Sequence, residues 1–387
     1  MDSILQSYKH IVFCAEHYNP LGIVRSLGEA GLCPILIVLR SPQRITSKSK
    51  YAKEIHFADT IEEGYRILLN TFGNEENKPF VYTSDDTITN FLDARYDELK
   101  DRFFFYNAGA AGRIAQFQNK ENILMLARKH GLQFLETHVV NVGEIPENLE
   151  YPIITKAIIS TISNWKGDMF ICHNEEELRE AYKHIRSPQV LLQKYIVKKN
   201  ELCMEGLSVN RGQNTLISIA CSYNYLLDDS YSPYMTVGSL HNEELRRKLS
   251  AMLAEVGFEG IFEIEFLVDQ DDSLYFLEIN FRNSTWSYAS TVAGMPLPVL
   301  WAQGMLVPRV IDTARKEIAE PFCALVEIED LRARLKTGRV SLFTWLRQWK
   351  DSPCKYYWGR KDCLPFYSAL WGAFAIKLQK KLGGRHG

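Results

Sequence analysis

The sequence predicts an α/β protein: an N-terminal parallel α/β unit, a central body with α+β elements, and a small C-terminal lobe. Three observations lead there. Residues 1–110 alternate short apolar runs with helical patterns, residues 260–282 form two strand-length runs around an acidic turn, and beyond about residue 310 the chain becomes basic and tryptophan-rich. Strands alternating with helices imply a parallel sheet with helical crossovers. With 387 residues, two or three domains are expected. Hydrophobic residues at 46% and charged residues at 24% exclude a largely disordered chain. A net charge of −2 supplies no global attraction to nucleic acid, so no such partner is expected.

The elements follow in order. His10–Ala15 reads as a buried strand, Gly22–Ala30 as a helix and Pro34–Leu39 as a second strand; Ile61–Thr71 is helical and Pro79–Thr83 extended. Ligands of parallel units gather at the carboxyl ends of strands, which draws attention to Glu16–Gly22 and Thr83–Asp86. Plain turn and N-cap chemistry accounts for both loops equally well. Asn119–Gly131 is a helix stopped by glycine, Tyr151–Ala157 is extended, and Ile158–Asp168 is a polar loop. Glu175–Ile185 is helical, Gln189–Ile196 and Glu201–Asn210 are strands, and Glu243–Val256 is an amphipathic helix. The expected division is 1–110, 111–310 and 311–387.

In the last of these, Arg332–Lys350 carries Trp345 and Trp349, and Lys377, Lys380, Lys381 and Arg385 follow. Packing on the main body is the favoured reading of this lobe; contact with a membrane surface is the other. The N-terminal MDSILQSYKH lacks the pattern of a secretory signal, and no window reaches the ~18–20 apolar residues of a spanning helix. Eight cysteines without a CxxC pair or zinc-type histidine spacing suggest reduced thiols and a cytoplasmic protein. None of the nine histidines has a spacing that assigns it a role. The sequence leaves the oligomeric state open.

The chemistry concentrates in Gly260–Ser287, GIFEIEFLVDQDDSLYFLEINFRNSTWS. With period two, Glu263 and Glu265 share one face of the first run, opposite Phe262, Ile264 and Phe266. In the second run Glu278, Asn280 and Arg282 share a face, and Tyr275, Leu277, Ile279 and Phe281 take the other. Folding the runs around Gln270–Ser273, with Asp269 opposite Leu274, sets Glu265 directly across from Glu278. Side chains so opposed stand about 5 Å apart, where two like charges repel. A cation between them removes the objection, and carboxylate and amide oxygens suit Mg²⁺ or Mn²⁺, completed by phosphate oxygens. Arg282 adds a planar donor for phosphate or carboxylate. The competing account is a solvated acidic face, since a slip of one residue reverses the pattern.

At these residues the chain resembles the ATP-grasp superfamily. Glu265…Glu278-Ile279-Asn280-Phe281-Arg282 is similar to its metal-binding E…ExNxR signature, seen in biotin carboxylase and the carboxylate–amine ligases. Asn119-Lys120 opening a helix, with Ala127…His130-Gly131 after it, resembles the segment whose lysine contacts nucleotide phosphate. Pro152-Ile153-Ile154-Thr155-Lys156 resembles the strand carrying a second phosphate lysine. Leu191-Leu192-Gln193-Lys194-Tyr195-Ile196 resembles the hinge that holds adenine, and Glu201 the acid that binds ribose. The segments GIVRSLGEAG, KSKYAKEIHFAD and RKDCLPF are similar to D-aspartate ligase-like enzymes. Between the second lysine strand and the next helix the chain has one glycine, Gly167, where many relatives have a glycine-rich loop; Lys166 there either caps a phosphate or is solvated.

The resemblance implies an ATP-grasp fold with an N-terminal pre-grasp domain, and an ATP-dependent ligase acting through an acyl phosphate. It implies ATP and two Mg²⁺ or Mn²⁺ ions, with Glu265, Glu278 and Asn280 as metal ligands. Lys120, Lys156, Gln193, Lys194, Tyr195, Ile196 and Glu201 would hold the nucleotide, and Arg282 the reacting acyl phosphate. The partners would be a small carboxylate and an amine. A phosphotransferase and a nucleotide-binding regulatory module are the alternatives. The acceptor pocket would draw on the N-terminal loops and on Tyr223–Ser239. That stretch holds Asp228 and Asp229 but no arginine, which suits either an amine or hydroxyl-rich acceptor or a solvated turn.

Overall fold

Five short runs at the start of the chain assemble into one parallel sheet in the computed structural model, which describes residues 2–158, 165–227 and 231–372. They are β1 (His10–Ala15), β2 (Ile35–Leu39), β3 (Glu54–Ala58), β4 (Phe80–Tyr82) and β5 (Phe104–Phe105), ordered β3-β2-β1-β4-β5. β1 therefore has β2 on one side and β4 on the other, so the loops leaving β1 and β4 part from each other at the switch point. The helix after β1, Tyr18–Glu29, begins about one turn before the apolar pattern predicts. The Asn19 N–H donates to His17 Nδ1 at 3.2 Å, and Pro20 falls in the first turn, where a missing N–H costs nothing.

Next comes an antiparallel sheet ordered β6-β9-β7-β8: β6 (Thr137–Asn141), β7 (Ile153–Lys156), β8 (Ile171–Cys172) and β9 (Gln189–Lys194). It has its own small core, including Ile153, Leu178, Val190 and Leu192. The largest sheet holds β10 (Asn200–Val209), β11 (Asn214–Tyr223), β12 (Tyr234–Gly238), β13 (Gly260–Val268), β14 (Leu274–Asn280), β15 (Phe322–Leu325) and β16 (Cys354–Lys355). Its order is β14-β13-β10-β11-β12-β15-β16. One face is apolar: Phe262, Ile264, Phe266, Phe276, Ile279 and Phe281 are buried together. The alternate positions of β13 and β10 therefore carry their carboxylates to the opposite face.

The hairpin corrects the predicted turn. Glu265 does lie opposite Glu278, but Val268, not Asp269, pairs with Leu274. The turn is one residue longer, with the Asp269 N–H bonded to the Ser273 carbonyl at 3.1 Å. A bulge at Leu277 then restores the register, because Phe266 pairs with Phe276 and Glu265 with Glu278. The same bulge reverses the expected faces before it: Phe276, not Tyr275 or Leu277, joins the core.

The C-terminal lobe adds β15 and β16 to this sheet and packs Tyr356 and Tyr357 against it. Its helices Glu327–Lys336 and Leu342–Asp351 meet where the Trp345 Nε1–H and the Arg334 guanidinium both donate to Asp330 Oδ2, at 2.7 and 2.6 Å. The lobe is braced to the N-terminal layer by Arg25. Its Nε donates to Asp362 at 3.0 Å, and its other nitrogens donate to the carbonyls of Tyr356, Tyr357 and Asp362. Lys377, Lys380, Lys381 and Arg385 lie outside the described residues. Among the described residues no helix is long and apolar enough to cross a membrane. All eight cysteines are free.

Candidate active site

The loops leaving β1 and β4, the carboxylate face of β13 and the helix Glu327–Lys336 enclose a cleft of about 610 Å³. It opens at the switch point of the parallel sheet, and both loops singled out from the sequence form its wall. Two amides hold that wall in place. Asn283 Nδ2 donates to Asn19 Oδ1 at 2.7 Å, and Asn19 Nδ2 returns a bond to the Asn283 carbonyl at 3.1 Å. The residue beside Arg282 is thereby tied to the N-terminal layer.

On the sheet, cross-strand pairing brings Glu265 against Glu278, Glu263 against Asn280, and Glu205 of β10 against Glu263. Asn280 Nδ2 donates to Glu265 at 2.8 Å and to Glu263 at 3.1 Å. Its Oδ1 accepts from Arg282 at 3.4 Å, so metal ligation through Asn280 needs the amide turned over. Burial, then the charges of Glu263 and Glu278, push the Glu265 carboxyl far above the usual carboxylate range. Burial also lifts Glu263 to about 8 and Glu205 to about 7. Ser287 Oγ donates to Glu205 at 2.6 Å, and Ser284 also donates to it. Among the described residues no three His, Cys, Asp or Glu side chains form a ready-made metal cage. The donor set still fits a divalent cation: Glu265 is buried opposite a second carboxylate, which disfavours its charge, and Mg²⁺ completes its shell with phosphate and water oxygens.

The two predicted lysines reach this face from different elements. Lys120 begins the helix Lys120–Lys129, which Asn119 caps by accepting the N–H groups of Glu121 and Asn122. Its Nζ lies 2.6 Å from Glu278 Oε2. The Lys120 ammonium holds Glu278 below the ordinary carboxylate value. Burial opposes the charge of Lys120 itself, yet Glu278 and Glu265 outweigh burial and raise its pKa. Lys156, at the end of β7, donates to Gln193 Oε1 of β9 at 2.8 Å. Burial and the nearby Lys120 charge push Lys156 down to about 8.

In the segment expected to be the hinge, two backbone N–H groups are already bonded within the sheet region. The N–H groups of Lys194 and Tyr195 donate to the carbonyls of Glu136 and Pro152, both at 2.8 Å. That of Ile196 has no partner among the described residues. The Lys194 side chain points to Glu150 at 2.5 Å, away from the carboxylate face. Glu201 is buried and paired with Lys198. Residues 159–164 of the predicted phosphate-covering loop, the Lys166 side chain, and Asp228 and Asp229 lie outside the described residues.

Arg282 Nε meets Asp86 Oδ2 at 3.0 Å, and Asp86 with Glu263 raises its pKa further despite burial. Burial and the Arg282 charge push His17 down to about 4, so it is neutral near pH 7. The sequence reading marked the loops that hold Glu16 and Asp86 without giving either residue a role, and it gave Glu205 and Glu329 none. Glu16, Asp86 and Glu329 line the cleft from distant segments, and Glu205 is buried across from Glu263, bonded to Ser284 and Ser287.

Residues 118–303 match the family described as "Carbamoyl-phosphate synthase L chain, ATP binding domain". N5-carboxyaminoimidazole ribonucleotide synthase from Staphylococcus aureus (strain COL) is 27% identical over 145 residues, 36% of this chain and 36% of that protein. This chain thus spans little more than a third of the length of that relative. Among solved structures, N5-carboxyaminoimidazole synthetase from Staphylococcus aureus complexed with ADP has a TM-score of 0.64 at 18% identity, covering 85% of both chains. L-amino acid ligase from Bacillus licheniformis has a TM-score of 0.63 at 15% identity, covering 82% of this chain and 79% of that one. The matched family, the shared fold and the carboxylate hairpin agree: this chain carries an ATP-grasp domain.

Proposed function

We propose that the protein is an ATP-dependent ligase joining a carboxylate to an amine through an acyl phosphate, with release of ADP and phosphate. The observation that carries this reading is the junction of two sites at Arg282. On one side lies the Glu265–Glu278 pair with Lys120 and Lys156, on the other the cleft at the switch point. A phosphoryl group bound by the first is then within reach of a carboxylate held in the second.

The chemical obstacle is charge, since an anionic carboxylate must approach a triphosphate; positioning and neutralisation supply most of the catalysis. Lys120 and Lys156 neutralise phosphate oxygens, and the hinge of Gln193, Lys194, Tyr195 and Ile196, with Glu201, holds the nucleoside. Glu265, Glu278 and Asn280 would hold two Mg²⁺ or Mn²⁺ ions, which add charge neutralisation at the phosphates. Arg282 orients the substrate carboxylate, and its guanidinium stabilises the oxyanion formed as the amine attacks. That attack makes the C–N bond and expels phosphate; the amine's surplus proton leaves to a base or water. No protein nucleophile is required.

Hydroxylamine trapping with Mg·ATP and a panel of carboxylates tests the reading. Hydroxamate with equimolar ADP is the expected result. A stable phosphorylated product without hydroxamate identifies a phosphotransferase, and absence of both identifies a regulatory nucleotide-binding module.

A further inference from the structure

A surface helix ordinarily turns charged and polar side chains to water. The last two helices of the C-terminal lobe do not. In the helical residues 364–372 the exposed positions are Leu364, Tyr367, Leu370 and Trp371, with no charge among them. The opposite side of this helix is tied down: Ser368 Oγ donates to the Arg44 carbonyl at 2.5 Å, and Ala369 is fully buried. The helix Leu342–Asp351 is held in its rotation by Trp345 on Asp330, and so presents Leu342, Phe343 and Leu346 outward, Phe343 being 82% exposed. Among the described residues 15 large hydrophobic side chains are exposed, and eight of them fall within residues 335–371. Scattered singly such residues are ordinary; gathered on one lobe they mark a binding surface.

Aromatic rings connect the two helices. Trp349 continues the row of Leu342 and Leu346 at helical spacing and lies 6.1 Å from Trp358. Trp358 in turn lies 6.2 Å from Tyr367, on the outward face of the second helix. The charge around these faces has one sign. Residues 332–387 hold 13 Lys or Arg against Asp351 and Asp362 alone, in a chain whose net charge is −2. Asp362 is buried and already held by Arg25. The segment that receives Ser368 adds Arg44, Lys48 and Lys50. Like Lys350, Arg360 and Lys361, these three are exposed and have no ion pair among the described residues.

An aromatic, apolar face bordered by unpaired cations is complementary to an anionic lipid surface. Rings and leucines enter the acyl boundary while Lys and Arg meet headgroup phosphates. A protein interface would instead be depleted of lysine. Residues 364–376, LPFYSALWGAFAI, carry no charge and are followed by Lys377, Lys380 and Lys381. That run is shorter than the ~20 apolar residues a spanning helix needs, which restricts the contact to the surface. We infer that this face of the C-terminal lobe docks the protein on an anionic phospholipid bilayer, lying in the headgroup layer without crossing it. The inference is independent of the ligase reading, because none of these side chains lines the cleft.

Flotation of the full chain with two sets of vesicles tests it: phosphatidylcholine alone, and three parts phosphatidylcholine to one part phosphatidylglycerol. At ~0.1 M salt, partition into the anionic vesicles should exceed partition into the neutral ones by about 10-fold or more, and should weaken as salt rises. Phe343→Ser should lower it roughly 10-fold, and Lys350→Gln combined with Lys361→Gln roughly 30-fold, each with denaturant unfolding unchanged. The apolar and the charge variants are independent, so one that failed to fold would leave the other to decide. Equal partition into both vesicle sets, or undiminished binding by the folded variants, overturns the inference. So does absence of vesicle binding: a dimer that Phe343→Ser dissolves then assigns the face to a second copy of the chain, and a monomer assigns it to residues 373–387.

Discussion

Arg25 and Arg282 each hold an aspartate at 3.0 Å, but they differ in how many donors remain. The Arg25 and Asp362 side chains are 1% and 3% exposed, and every guanidinium nitrogen of Arg25 has an acceptor. Asp362 is equally complete, accepting from Ser49 Oγ and the Lys50 N–H as well. Arg282 and Asp86 are 19% and 26% exposed at the cleft, and among the described residues Arg282 NH1 has no acceptor. Completeness marks the first arginine as structural. The unspent donors of the second are what the proposed role as a ligand group requires.

Four measurements sharpen or break this contrast, from the largest effect to the smallest. Arg25→Ala leaves Asp362 as an uncompensated buried charge and should cost about 3–5 kcal/mol in denaturant unfolding. A loss below 1 kcal/mol would contradict a structural role. Arg282→Ala should lower turnover ~10²–10³-fold while unfolding close to the parent protein. If its stability falls as far as that of Arg25→Ala, the distinction fails.

A smaller effect concerns Lys156, which faces Lys120, Glu278, Glu201 and Lys198. Burial and Lys120 lower its pKa to about 8, so its charge is full well below that pH and lost above it. The kcat/KM for ATP should fall about tenfold per pH unit above 8 while Lys156 controls the rate. Lys156→Arg, charged throughout, should flatten that limb; an unchanged profile would assign the break to another group. The last is a control: Glu175→Ala breaks an exposed pair with Arg179 on a helix surface and should change stability by no more than ~0.5 kcal/mol.

Much of this was legible in residue order. The helix Glu243–Val256 matches its predicted span, because amphipathic spacing and an Asn242 cap agree on where it starts. The Glu265–Glu278 pairing was also readable, since alternation identified the polar face of each strand. The turn was not, because Leu277 looks like any other apolar strand residue until it bulges. The error at the turn and the bulge cancelled at the carboxylates. The cleft itself was half legible: the loops after β1 and β4 were visible, but Glu329 reaches the site from a lobe read as packing on the main body or meeting a membrane surface. Glu205 was hidden among apolar neighbours, and Asn19 meets Asn283 across 264 residues of chain. Local periodicity carries no information about such contacts.

The Arg25–Asp362 brace also constrains the order in which the molecule can be made. Its two residues are separated by 337 positions, so a ribosome exposes Arg25 long before Asp362 emerges. Until then the guanidinium must stay hydrated, and the surface that receives the brace cannot dehydrate around it. The layer that carries Arg25 is therefore sealed only after Asp362 has emerged, and nascent chains stopped short of residue 362 should remain open there to protease.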